Sequence, residues 1–90
     1  MRRLQQTKQF SNEVKKAKKR GKDLERLKAI VSSLIADKRL NEKHRDHALI
    51  GHWKGSRECH IEPDWLLIYT LEEDLLRLER TGTHSDLFDQ

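Results

Sequence analysis

Ninety residues, with 19 lysines and arginines against 15 aspartates and glutamates, make a small, charge-rich chain of net charge +4. That length allows one hydrophobic core, read as a single domain over residues 1–90, and the 34% hydrophobic content is too clustered for long disorder outside the termini. No run approaches the roughly 20 apolar residues that span a bilayer, the start Met1-Arg2-Arg3-Leu4 has no apolar signal core, and the single Cys59 excludes an internal disulfide, so a cytoplasmic protein is expected.

Residues 2–6 read as a short edge strand. A helix starts near Thr7 or Lys8, where Phe10, Val14 and Ala17 form a narrow apolar stripe among Lys15, Lys16, Lys18, Lys19 and Arg20. Gly21 stops it, because glycine takes a left-handed cap without a Cβ penalty. Asp23 caps a second helix, which Leu24, Leu27, Ile30, Val31, Leu34 and Ile35 carry to about Lys38. Joined by so few residues, the two helices are expected as an antiparallel hairpin. Residues 39–54 read as a loop with short turns. After Gly55 the period changes to two, placing Glu58, His60 and Glu62 on one face of a strand and Cys59 and Ile61 on the other. Pro63 and Asp64 turn the chain, and Trp65 to Leu71 is an apolar strand suited to the centre of a sheet. Glu72 to Asp74 form a second turn. Leu76 and Leu78 then alternate with Arg77 and Glu79 until Thr81-Gly82-Thr83, and Ser85 to Phe88 read as a short tail. The pattern predicts an α+β fold, with two N-terminal helices packed on one face of a small, largely antiparallel sheet.

Charge is unevenly spread. Residues 1–47 hold 15 basic and 6 acidic residues, a net of +9, whereas residues 48–90 have a net of −5. A strongly basic half suits a polyanionic partner, nucleic acid or an acidic protein segment, although lysine-rich helices also have merely solvated faces. Five histidines, at 44, 47, 52, 60 and 84, are many for this length, and histidine is the natural acid–base side chain near neutral pH. A tight turn at Pro63-Asp64 would bring Asp64 close to His60, where a carboxylate orients an imidazole. A metal site from His44, His47, His52 and Cys59 is the competing reading, but no standard zinc spacing recurs and none is expected. Cys59 reads as a small buried hydrophobe. There is no glycine-rich phosphate loop, which excludes nucleotide-hydrolysing enzymes. Trp65 reads as core. Trp53 either packs on the sheet or meets a base, and Phe88 either ties down the end of the chain or stacks on an unstacked RNA base.

One stretch is specific. His47-Ala48-Leu49, Gly51-His52-Trp53-Lys54-Gly55, Arg57 through Trp65, Leu67-Ile68-Tyr69 and Glu79 through Phe88 together resemble the YafQ branch of the RelE/ParE toxins. The basic, amphipathic helices match that family in pattern only. The resemblance implies a RelE/ParE-like fold and a ribosome-dependent endoribonuclease that cleaves translated mRNA by attack of the 2'-hydroxyl. It implies catalytic roles for His47, His60, Asp64 and His84, and substrate contacts by Arg80, as a phosphate clamp, and Phe88, as a stacking ring. His60 or His47 would be the base and His84 the acid or phosphate stabiliser. No cofactor or metal is implied. Expected partners are the 70S ribosome with its mRNA and a cognate antitoxin, ribbon-helix-helix in type, whose complex with the toxin binds operator DNA. Ala48 departs from the family, standing where a relative has proline, which leaves the His47 loop less stiff. A non-catalytic RNA- or antitoxin-binding protein of RelE type and a ParE-like gyrase inhibitor are the alternatives. The latter branch does not need this set of histidines.

Overall fold

The computed structural model describes residues 2–88. In chain order it contains β1 (Arg3–Gln6), α1 (Lys8–Lys19), α2 (Leu24–Ile35), β2 (His47–Ala48), β3 (Arg57–Glu62), β4 (Trp65–Leu71), β5 (Leu75–Gly82) and α3 (His84–Phe88), with short 3-10 turns at Glu42–His44 and Gly51–Trp53. The strands form one sheet in the order β1-β5-β4-β3-β2. All neighbours are antiparallel except β1, which runs parallel to β5 with Arg3 opposite Leu75. The α+β architecture of helices on a mainly antiparallel sheet is therefore as expected.

The strict alternation of β4 builds two apolar layers. Trp65, Leu67 and Tyr69 face the helices and meet Phe10, Ala17, Leu27, Ile30 and Leu34, with Cys59, Ile61, Leu76 and Leu78 completing the layer. Leu66 and Ile68 face the other way, under Leu87 and the partly buried Leu49, Trp53 and Phe88. Fully burying each such side chain contributes about 1.5–3 kcal/mol. The polar atoms within the core are satisfied: the Trp65 indole N–H donates to Thr81 Oγ1 at 3.0 Å, and that hydroxyl donates to the Leu66 carbonyl at 2.7 Å.

The helix starts agree with the sequence. Thr7 Oγ1 accepts from the Phe10 amide, Asp23 Oδ1 accepts from the Glu25 amide, and Gly21 has φ +83°. The end of α2 does not. It stops at Ile35 rather than near Lys38, because Asp37 turns left-handed (φ 59°) and the Lys38 amide bonds back to the Ser33 carbonyl, closing a Schellman-type cap. Three further corrections apply. The 39–54 loop includes β2, whose His47 and Ala48 pair with Glu58 and Arg57. A register shift between His60 and Glu62 takes Glu62 out of the Glu58–His60 row, and its carboxylate meets Lys22 and Arg26 instead. Finally, the expected tail from Ser85 to Phe88 folds, together with His84, as α3. No helix is long and apolar enough to cross a membrane.

Candidate active site

The sheet face opposite α1 and α2 gathers the chemistry. On β3, Glu58 and His60 project to the same side as Leu66 and Ile68, their cross-strand neighbours. β2 brings His47 directly opposite Glu58. α3 folds back onto this face through Leu87 and carries His84 and Phe88, four residues apart and so on one side of the helix.

Two imidazole–carboxylate pairs result. His60 Nε2 lies 3.2 Å from Glu58 Oε1. His84 Nδ1 lies 2.7 Å from Asp64 Oδ1, and the same oxygen accepts the His84 backbone N–H at 3.0 Å. The two rings stand edge to face, their centres 5.6 Å apart. A carboxylate only accepts, so each of these ring nitrogens carries a proton. When neutral, His60 keeps its lone pair on Nδ1 and His84 keeps its own on Nε2. His47 Nδ1 donates to the Arg45 carbonyl at 2.6 Å, which leaves its Nε2, 3.8 Å from Glu58, as the acceptor. Those two bonds to His84 hold the Asp64 carboxyl below the usual carboxylate range, the backbone N–H being the larger cause. Burial, assisted by Asp46 and Glu58, pushes the Cys59 thiol up to about 12, so it stays neutral and is no nucleophile.

The structure thus brings His47, His60, Asp64 and His84 together but distributes the carboxylates differently from the sequence expectation. Asp64 serves His84, and Glu58 serves His60. Glu58 was not among the expected site residues, although its place two residues before His60 on one strand face was visible. Phe88 is half-buried against Leu66 and Ile68 at the edge of the site. Arg80, on β5, lies opposite Ile68 and is already paired. Its guanidinium binds Glu13 of α1 at 2.6 and 3.4 Å, in a hollow between α1 and β5 that also contains Lys16 and Arg20. Trp53 packs on the second apolar layer, while His52 is exposed and touches only the edge of Trp53. His44 donates Nδ1–H to the His60 carbonyl at 2.7 Å and so braces the site strand.

Among the described residues, the side chains able to hold a metal together are Glu58, His60 and His84, whose ligand atoms lie within 4.8 Å of one another. The His44, His47, His52 and Cys59 combination is not formed.

Comparison with known proteins gives consistent matches. The family described as the bacterial toxin of a type II toxin-antitoxin system, YafQ, matches residues 2–89. The mRNA interferase toxin YafQ of Escherichia coli K12 is 52% identical over 81 residues, covering 89% of this chain and 88% of that protein. The E. coli DinJ-YafQ complex contains a chain that superposes with a TM-score of 0.92 at 48% identity, covering 98% of this chain and 99% of the other. A metal-bound toxin from Helicobacter pylori superposes with a TM-score of 0.92 at 40% identity, covering 98% and 100%.

Proposed function

The chain belongs to the YafQ toxin family of type II toxin-antitoxin systems, within the RelE/ParE superfamily, and from that premise we propose that it is a ribosome-dependent endoribonuclease that cuts translated mRNA. The observation that carries the reading is the facing of two imidazoles, each backed by its own carboxylate, at the open surface of the sheet.

Cleavage without a metal requires the 2'-hydroxyl to attack the adjacent phosphorus in line, a base to take its proton and an acid to protonate the departing 5'-oxygen. His60, held through Nε2 by Glu58, presents Nδ1 as the base, with His47 as the neighbouring alternative. His84, held through Nδ1 by Asp64, acts in its imidazolium form and gives its Nε2 proton to the leaving oxygen. Phe88 stacks on a base displaced from the strand. Arg80 engages Glu13 through Nε and Nη2 and keeps Nη1 for a phosphate, so the other donors near the growing phosphoryl charge are His84 and, once protonated, His47. The E. coli YafQ has been crystallised with DinJ. Here the corresponding partner is a cognate antitoxin, whose complex with the toxin occupies operator DNA.

A general acid or base contributes about 10²–10⁴-fold. His60→Ala and His84→Ala should each reduce single-turnover cleavage of ribosome-bound mRNA by at least about two orders of magnitude, with the fold and antitoxin binding retained. The products should end in a 2',3'-cyclic phosphate and a 5'-hydroxyl. A 3'-hydroxyl with a 5'-phosphate would mean water was the nucleophile. Intact mRNA with broken DNA would favour a gyrase poison, and neither would favour a pure binding protein.

A second reading uses the same side chains. The H. pylori relative is metal-bound, and Glu58, His60 and His84 offer a transition metal one carboxylate oxygen and two imidazole nitrogens. An ion held there would coordinate both imidazoles and take them out of acid–base work, which makes it an inhibitor of this nuclease rather than its cofactor.

A further inference from the structure

From the paired imidazoles an open groove of about 990 Å³ leads away, bordered by α2 on one side and the 39–45 segment on the other. His60 and His84 stand at its margin, and Ile30, Leu40 and Ile61 contribute apolar lining. Four basic side chains line it against one carboxylate, Glu62. Arg26 is engaged by Asp23 and Glu62. Arg39, Lys43 and Arg45 are exposed, and among the described residues none of them forms an ion pair. Nor is the segment that carries them loosely attached. Asn41 Oδ1 caps its turn through the Lys43 amide, His44 bonds to the His60 carbonyl, and Asp46 accepts both the Tyr69 hydroxyl at 2.6 Å and Arg57 Nε at 3.2 Å. The backbone of this segment is therefore anchored beside the reaction centre, although nothing in the fold itself requires three unpaired charges there.

We propose that this groove holds the stretch of substrate RNA adjoining the cut, with backbone phosphates on Arg39, Lys43 and Arg45 and a base or ribose against Ile30, Leu40 and Ile61. The proposal rests on the nuclease reading and extends it to a second binding region. An acidic antitoxin segment would also be attracted by these cations. What favours RNA is the groove's starting point. A strand whose phosphodiester lies between His60 and His84 must continue past them, carrying a charge at every nucleotide, whereas a protein segment has no reason to begin there.

Two experiments test it. In the first, a cleavage-blocked His84→Gln chain is bound to programmed ribosomes whose mRNA carries 4-thiouridine at single positions on either side of the cut. Labels on one flank should crosslink to peptides within residues 26–45, and labels at the cut to the peptide bearing residues 84–88. If flank labels reach the chain only elsewhere while labels at the cut still reach 84–88, the groove assignment is wrong and the nuclease reading stands. If no label reaches 84–88 and the unaltered chain cuts nothing, the nuclease reading fails and the groove falls with it.

The second experiment uses the combined variant Arg39→Gln, Lys43→Gln and Arg45→Asn, with asparagine at 45 because Arg45 has φ 47° and asparagine tolerates that region. Each lost contact to a single strand flattens the dependence of log affinity on log salt by about 0.7, so the variant's slope should be shallower by about 2, with KM raised and kcat little changed. An unchanged KM and slope, with weakened binding of the antitoxin instead, would assign the groove to protein and overturn the proposal.

Discussion

Glu58 is only 7% exposed, yet it faces two imidazoles, at 3.2 Å from His60 and 3.8 Å from His47. A carboxylate so nearly removed from water is stable only against hydrogen-bond donors, and here it decides which nitrogen of His60 carries the proton. Glu58→Gln keeps the shape but can turn its NH₂ group toward the ring and reverse that tautomer. The expected result is a kcat lower by roughly 10–100-fold, a near-normal melting temperature, and weaker inhibition by added zinc, since the metal loses its one carboxylate ligand. Undiminished turnover with undiminished zinc sensitivity would remove Glu58 from both roles. Most of the site was legible residue by residue: His47, His60, Asp64 and His84 do converge. Their pairing was not. Spacing along the chain shows that Asp64 follows His60 across a turn, but not that residue 84 returns to take it. Arg80 is a similar case. Its basic character was plain, whereas its partner Glu13 lies 67 residues away and no local pattern reveals it.

α3 is an element that depends on its anchors. Isolated helices shorter than about 12–15 residues are marginal in water, and this one has five. Asp86 joins it to the end of α1 through Arg20 at 2.8 Å and accepts the Thr83 amide at 3.0 Å, while Thr83 Oγ1 accepts the Asp86 amide in return. Gly82 permits that closeness, since a Cβ there would lie 2.9 Å from the Asp86 Cβ. Both carboxyls that fasten α3 are held below the usual range, Asp86 chiefly by Arg20 and Asp64 chiefly by the His84 backbone N–H. A lowered folded-state pKa adds stability that is fully present above the unfolded value, near 4 for aspartate, and is lost as pH falls through the folded value. Amides of residues 84–88 should therefore lose exchange protection below about pH 4 before the sheet does. Asp86→Asn should loosen them already at neutral pH, raising KM and lowering kcat together. If protection of 84–88 is the same in Asp86→Asn, that carboxylate is not the anchor. Five residues carry no measurable helical period, so α3 reads as a tail. β2, two exposed residues long, shows no alternation either. The long amphipathic helices and the alternating β4 were legible because burial enforces their periods.

Across the molecule, the basic half of the chain forms α1, α2 and the wall of the groove, while nine of the fifteen acidic residues fall within residues 48–90, most of them between or after the strands. Lys15, Lys16, Lys18 and Lys19 are all exposed. Reversing these four to glutamate, with Arg20 left to hold Asp86, should weaken ribosome association and flatten its salt dependence while the melting temperature changes little. Unchanged affinity would take α1 off the RNA-facing surface. β1 is made first but has only β5 to pair with, Arg3 lying opposite Leu75, and His84 follows later still. During synthesis the opening strand waits, unpaired, until nearly all the described chain has left the ribosome, and only then can the sheet close and the imidazoles meet. A chain that has not yet extended past His84 therefore has no assembled site, and a partner already present in the cell would have its first chance to intervene once that residue has emerged.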